Sequence, residues 1–359
     1  MGTIIYILLA LLLLGIMVTV HELGHFCAAR ACGIAVRAFG VGFGPKLLSW
    51  TGKKSGTEYS LRLIPCGGFC AFYGEDDAQG KDKEDPRSML LQPAWKRLIP
   101  IAAGPIMNFV LAFVVALAFF MGYGLPYADG PIVTTVQSVS AGSPAEQAGF
   151  QADDVILSVN DQAINGNLSA YVDAWQTGDA PLRVTVQRGE EQVELQVTPF
   201  DSEAEGRKLI GVNILLTQQG ETVWRRAPFG TTLSHTWDVC VSAGGAILDA
   251  LGRLVTRGEG VDQMSGPVGV ITQIAEQTRE YKLMGYLNVL IMISINLGLV
   301  NLLPIPGLDG CRILFVLFEM IFRRPVNRKV EAYIHLAGYL LLLGVMVYFT
   351  FHDVINIFA

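Results

Sequence analysis

Residues 21–25 read His-Glu-Leu-Gly-His. Four residues make slightly more than one helical turn, so both imidazoles leave the same face of a helix and can hold one metal ion. Glu22, beside them, can take a proton from a water that the metal polarises. This is the chemistry of a zinc hydrolase, with Zn2+ as the implied cofactor. The chain has five histidines in all, so the pattern is improbable by chance. The plain alternative is a helix end whose polar residues only meet an interface. That reading is the weaker one, because an ionisable trio at the end of an apolar run is costly unless it is paired or metal-bound.

Two histidines do not complete a hydrolytic zinc site, which normally takes three protein ligands and leaves one position open. Residues 26–97 hold no further histidine, and most of their acids fall in the charged stretch 74–88, which reads as a solvated loop. The better candidate is distant. In "NLGLVNLLPIPGLDGCRILF" (296–315) an aliphatic run is broken by Pro304 and Pro306 and followed by Asp309. An acid on non-helical backbone at membrane depth needs a partner. A dication shared with His21 and His25 supplies one and leaves a site of net charge +1, which favours hydroxide over water.

The elements that must position these residues follow from the rest of the chain. With 359 residues, 51% of them apolar, and a mean hydropathy of +0.42, the sequence suits a membrane protein with a soluble module. A net charge of −6 offers no basic surface for a nucleic acid. Four apolar runs have spanning length, Ile4–Val20, Leu98–Gly122, Leu283–Leu303 and Tyr333–Phe351. The fold class expected is therefore a polytopic α-helical membrane protein with four transmembrane helices. Lys and Arg are densest in Phe26–Arg97 and Pro304–Ala332, which places those loops, and the candidate site, on the cytoplasmic side. Both termini and the segment 123–282 then lie outside. Cys240 is the one cysteine in that segment, so no disulfide framework is expected there.

Between the first two spans, "VRAFGVGF" and "TEYSLRLI" alternate with Gly, Pro and "TGKKSG", the pattern of a β-hairpin or small sheet held against the membrane. Further on, "GSPAEQAGFQADDVILSVNDQAI" (142–164) is followed by a hairpin about "RGEE". This run resembles a PDZ domain, although Ala152 and Asp161-Gln162 stand where the family usually has Gly and Asn-Gly or Asp-Gly. The resemblance implies one extracytoplasmic PDZ-like α+β domain able to take a peptide or protein ligand. The boundaries expected are 1–32 for the first span with its motif, 33–97 for the β region and charged loop, and 98–122 for the second span. They continue with 123–205 for the PDZ-like domain and 206–282 for a connector with an amphipathic helix lying near the outer lipid surface. Residues 283–303 are the third span, 304–332 the Asp309 loop and 333–359 the fourth span.

The pairing of "HELGH" with "NLLPIPGLDG", together with "VGFGP", "GTEYSLRLIPCGGF", "AAGPIMNF" and "SGPVGV", resembles the site-2 proteases, intramembrane zinc metalloproteases of bacteria that carry a single PDZ domain. The resemblance covers nearly the whole chain. It implies His21, His25 and Asp309 as zinc ligands, Glu22 as general base and Asn301 as a residue that holds the substrate backbone. It also implies cleavage of single-span membrane proteins, such as anti-sigma factors or signal-peptide remnants, in the bacterial inner membrane. Cys311 departs from the pattern, where many relatives have a second Gly. Three other readings carry less: a catalytically inactive PDZ-containing scaffold, a metal transporter, and a second zinc site at Cys27, Cys32, Cys66 and Cys70, whose spacing and apolar neighbours favour packing. His235, His335 and His352 read as isolated surface or interface residues.

Overall fold

The computed structural model describes residues 2–74, 85–128, 130–164, 180–202, 207–218, 222–258 and 266–358. Most of the charged stretch 74–88 lies outside the described residues. So do Ser265 of "SGPVGV" and residues 165–179 of the PDZ-like run. The chain divides into two units, 1–122 with 227–359, and 123–226.

In the first unit, helix α1 (Gly2–Ala31) runs through the HELGH motif rather than ending with it. His, Glu, Leu and Gly do not break a helix that is already propagating, so the motif continues the apolar run as further turns. The stop comes at Gly33, whose φ of 75° is left-handed. Its N–H donates to the Arg30 carbonyl and that of Ile34 to the Ala29 carbonyl, which satisfies the last turn. Four more long helices follow: α2 (Ala94–Tyr123), α4 (Phe229–Arg257), α5 (Pro267–Leu302) and α7 (Arg328–Phe358). The short α3 (Pro144–Ala148) belongs to the second unit, and α6 (Asp309–Phe322) joins α5 to α7.

Among the described residues, five helices are long and apolar enough to cross a membrane where the sequence predicts four. The addition is α4, read from the sequence as an amphipathic helix of the connector. Asp238, Asp249, Arg253 and Arg257 interrupt its apolar residues, while Phe229, Leu233, Trp237 and Val241 are exposed at four-residue spacing. Helix α5 is not continuous: Lys282, at φ 52° and ψ −130°, breaks it immediately before the run the sequence marks as the third span. Its N-terminus explains "SGPVGV". Pro267 occupies the first turn, and Asp353 of α7, itself buried, accepts the N–H groups of Gly266 at 3.2 Å and Gly269 at 2.8 Å.

The β region after α1 is a single folded-over hairpin of β1 (Val36–Thr51) and β2 (Glu58–Phe72). Residues Ala38–Val41 have partners on both sides, Glu58–Leu61 and Gly68–Ala71, and Lys46–Thr51 pair with Glu58–Arg62. Left-handed glycines at 42, 44 and 67 allow the doubling back. Phe43, Leu47, Leu48, Trp50, Leu63 and Ile64 are exposed, an apolar surface suited to lipid.

The second unit holds β3 (Leu125–Ala128), β4 (Ile132–Val139), α3 (Pro144–Ala148), β5 (Val155–Val159), β6 (Gln162–Ala163), β7 (Leu182–Arg188), β8 (Glu191–Val197), β9 (Phe200–Ser202), β10 (Arg207–Leu209), β11 (Val212–Gln218) and β12 (Thr222–Arg225). Six strands form one sheet in the order β11-β4-β5-β7-β8, with β6 on β5. The sheet therefore takes in residues beyond 205, where the sequence ends the domain: β11 covers the opposite edge of β4, and β12 closes on β3. Ser143 caps α3 by accepting the Glu146 N–H, and Glu146 in turn accepts the N–H of Gly142, the residue before the cap. The core packs Val136, Phe150, Ile156, Val184, Val186 and Ile210.

Among the described residues of this unit, one charged side chain is buried. Asp154 has no exposed surface, and Arg188 donates to both its oxygens at 2.7 Å while the Gln151 N–H adds a third bond at 2.9 Å. Burial alone raises the Asp154 pKa, but the Arg188 bonds, the Gln151 N–H and the guanidinium charge outweigh it and hold the carboxyl below its usual range. The stability this contributes is present above the unfolded carboxyl pKa and is lost as pH falls through the lower folded one. Arg188→Met leaves the buried carboxylate without its charge partner. It is expected to cost about 2–3 kcal/mol, less than a fully buried pair because Arg188 reaches water. Native-state hydrogen exchange of the β5 amides at neutral pH measures the loss. The gap to wild type should narrow in acid, where Asp154 can protonate.

Candidate active site

Three side chains from opposite ends of the chain meet in the first unit. Nε2 of His21 and Nε2 of His25 lie 3.1 Å apart, and Asp309 Oδ2 is 3.2 Å from the first and 3.4 Å from the second. Both histidines are buried, at 8% and 7% exposure. Ligands at ~2.0–2.1 Å on the corners of a tetrahedron stand roughly 3.3 Å from one another. Two nitrogens and one oxygen at these separations fit zinc and leave a fourth corner for water or substrate. Among the described residues this is the one cluster of His, Cys, Asp and Glu with such spacing.

Each member is placed by a specific local feature. His21 and His25 follow from the four-residue spacing on α1. Asp309 opens α6 after the break at Leu303–Leu308, where Leu303 N–H donates to Val300 and Leu308 N–H to Ile305. Gly307 has a φ of 98°. The break is held tightly. A Cβ on Gly310 would come within 2.2 Å of the Leu303 carbonyl oxygen, and one on Gly338 of α7 within 2.1 Å of that of Pro306. Cys311, the departure from the family pattern, is buried within helical backbone, and on α6 the close approach falls to Gly310.

Glu22 follows His21 on α1, and its Cγ lies 3.0 Å from where a Gly68 Cβ would be. The Gly68 segment of β2 thus runs directly past this carboxylate. Asn301 is half-buried in the last turn of α5, and no hydrogen bond ties it to His21, His25 or Asp309.

The sequence reading missed the contribution of α2. The Pro100 carbonyl accepts the His25 Nδ1–H at 2.8 Å, which leaves Nε2 turned to the cluster. Gly104 has no room for a side chain, since a Cβ there would lie 2.3 Å from His25 Nε2. Asn108, one turn on, reaches His21 Nδ1 at 3.1 Å. The signal was present in "AAGPIMNF", where a Gly-Pro pair and a lone amide interrupt an apolar span. His335 needs correction as well: it is buried in α7 and its Nδ1 accepts the Gly307 N–H at 3.1 Å, so it secures the Asp309 loop. His235 packs edge-on against Phe120, and His352 is exposed. Cys32 and Cys70 lie in an apolar cluster with Phe72 and Ile101, and the Cys66 side chain is outside the described residues.

Gly104→Val should displace the His25 imidazole and weaken zinc binding by at least tenfold. Competition against a chelating indicator reads this out, and Ala103→Val, on the adjacent position of the same helix, serves as the reference.

Comparison with known proteins agrees with this geometry. The model of peptidase family M50 matches residues 9–345. A putative zinc metalloprotease of Agrobacterium fabrum is 32% identical over 97% of this chain and 95% of its own. The metalloprotease MmpA of Caulobacter vibrioides is 31% identical over 98% and 96%. The regulator of sigma-W protease RasP of Bacillus subtilis is 30% identical over 97% and 98%. A solved PDZ domain from Listeria monocytogenes aligns with 25% of this chain and 90% of its own at 18% identity, with a TM-score of 0.21, too low to bear on the second unit. The match over nearly the full length, joined to a buried His-His-Asp cluster behind a glutamate, shows that the chain belongs to peptidase family M50, the site-2 proteases, and is a zinc metalloendopeptidase.

Proposed function

We propose that this enzyme cuts the membrane-spanning segments of single-span proteins, such as anti-sigma factors or signal-peptide remnants, in the bacterial inner membrane. His21, His25 and Asp309 are the zinc ligands in this reading, Glu22 the general base and Asn301 a holder of substrate backbone. The observation that carries it is the convergence of two imidazole nitrogens and a carboxylate oxygen at tetrahedral separations within a bundle of apolar helices. Zinc, when bound, polarises a scissile carbonyl and lowers the pKa of water toward neutrality.

The protein's own residues supply the rest. Glu22 removes a proton from the attacking water and returns it to the leaving amine. A peptide bond in a helix is protected by its own hydrogen bonding, so substrate must first be unwound. The Gly68–Ala71 stretch of β2 runs past Glu22 and, among the described strands, pairs with Ala38–Val41 on one side, so an extended peptide can add along its other edge. The broken helix at Pro304–Leu308 gives water a polar route from the side on which Lys and Arg are dense, the cytoplasmic one. The second unit, read as a PDZ-like domain on the outer side, selects substrates by binding a peptide or protein segment. An inactive scaffold is disfavoured by the intact motif and its assembled partners.

Glu22→Gln is expected to keep stoichiometric zinc while cleavage of a reconstituted single-span substrate falls on the order of 10³-fold. Undiminished cleavage would remove Glu22 from the mechanism. The same variant should retain bound substrate, so proteins that co-purify with it identify what is cut.

A further inference from the structure

Helix α2 is apolar through its middle, yet it buries one amide completely: Asn108 has no exposed surface. Its backbone carbonyl accepts a bond from Ser294 of α5 at 2.9 Å, which fixes the residue in place. Its side chain lies against His21, with Nδ2 3.1 Å from the ring Nδ1. Oδ1 is buried and has no hydrogen-bond partner. An unsatisfied buried oxygen costs about 1–3 kcal/mol, and here the acceptor is left idle beside a ring that needs one.

The need follows from the site. Nε2 of His21 faces His25 Nε2 and Asp309 Oδ2. A neutral imidazole that ligates through Nε2 carries its proton on Nδ1, and a donor at Nδ1 cannot bond to the amide nitrogen, which is also a donor. A half-turn of the amide exchanges its oxygen and nitrogen in place and sets Oδ1 on that proton. Which way an amide points is decided by the group it meets.

We propose that Asn108 is a positioning residue for the zinc site, with Oδ1 accepting the His21 Nδ1–H and so fixing the tautomer and ring plane in which Nε2 can ligate. The inference rests on His21 being a ligand. The Pro100 carbonyl serves His25 in the same way. Both imidazoles are therefore steered from one face of α2, where Gly104 makes room for one and Asn108 anchors the other. A neutral amide does this without adding a second negative charge, so the site keeps its net +1 when zinc is bound.

The test uses full-length protein in lipid nanodiscs. Zinc affinity is measured by indicator competition, and the melting temperature of the chelated protein checks the fold. Asn108→Leu, close in size but without an acceptor, should weaken zinc about 10–100-fold, the usual loss for an outer partner of a ligand histidine. Asn108→Asp, which offers only acceptors, should match or exceed wild-type affinity. A residue that acts only through packing gives the reverse order, with Leu tolerated and a buried Asp damaging, and that order overturns the proposal. If Asn108→Leu does not fold, Asn108→Ala carries the same expectation, and unchanged affinity in it is equally fatal. His21→Ala separates this from the parent reading. Zinc weakened in His21→Ala but not in Asn108→Leu sinks the inference alone, whereas zinc unchanged in both sinks the ligand assignment.

Discussion

A carboxylate at the start of α6 and two imidazoles on α1 share one pocket within an apolar helical unit, and the rest of that unit is arranged around keeping them there. Separately each group is expensive in such surroundings: a lone Asp309 would draw in water or a proton, and two adjacent histidines gain little from each other. In the proposed zinc site, a dication balances the three together at tetrahedral spacing. Under that proposal the two ends of the chain hold the metal jointly, since neither end completes the ligand set alone.

The residues around the cluster remove bulk rather than add contacts. Gly24 and Gly104 let α1 and α2 approach closely: a Cβ on Gly24 would meet the Ala103 carbonyl oxygen at 2.4 Å. Gly310 and Gly338 do the same for the Asp309 loop, and His335 ties its middle to α7. Behind them, Ala10, Leu13 and Met17 of α1 pack on Ile274 and Leu290 of α5. At the far end of α6, Glu319 pairs with Arg97 near the start of α2. The helix that bears Asp309 is thus held at both ends, and the glycines set how near it comes to the histidines.

Much of this was legible from residue types. The HELGH spacing places both imidazoles on one face, and the Pro-rich break before Asp309 marks an acid that needs a partner, without any knowledge of the fold. Two kinds of information were not legible. Close approaches leave no side chain to read, so the role of Gly104 appears only once His25 stands against it. Partners brought in from another helix carry no local spacing signal, which is why His335 read as an isolated residue and Asn108 was assigned no role. Helix α4 was ambiguous for a different reason, since a 29-residue helix with four charges and an apolar stripe suits an interface as well as a span. The end of the second domain was misplaced because β11 pairs with β4, far back in sequence, and its own run of "VNILLTQ" names no partner.

The central claim is that zinc is held by two imidazoles and one carboxylate drawn from the two ends of the chain. Zinc K-edge X-ray absorption of the purified protein, compared with its Asp309→Ala variant, tests it most directly. The account predicts a first shell of nitrogen and oxygen only, at ~2.0–2.1 Å with the multiple scattering of two imidazoles, and the loss of one oxygen scatterer or of the metal itself in the variant. A sulfur shell near ~2.3 Å, or a first shell unchanged by Asp309→Ala, would contradict it.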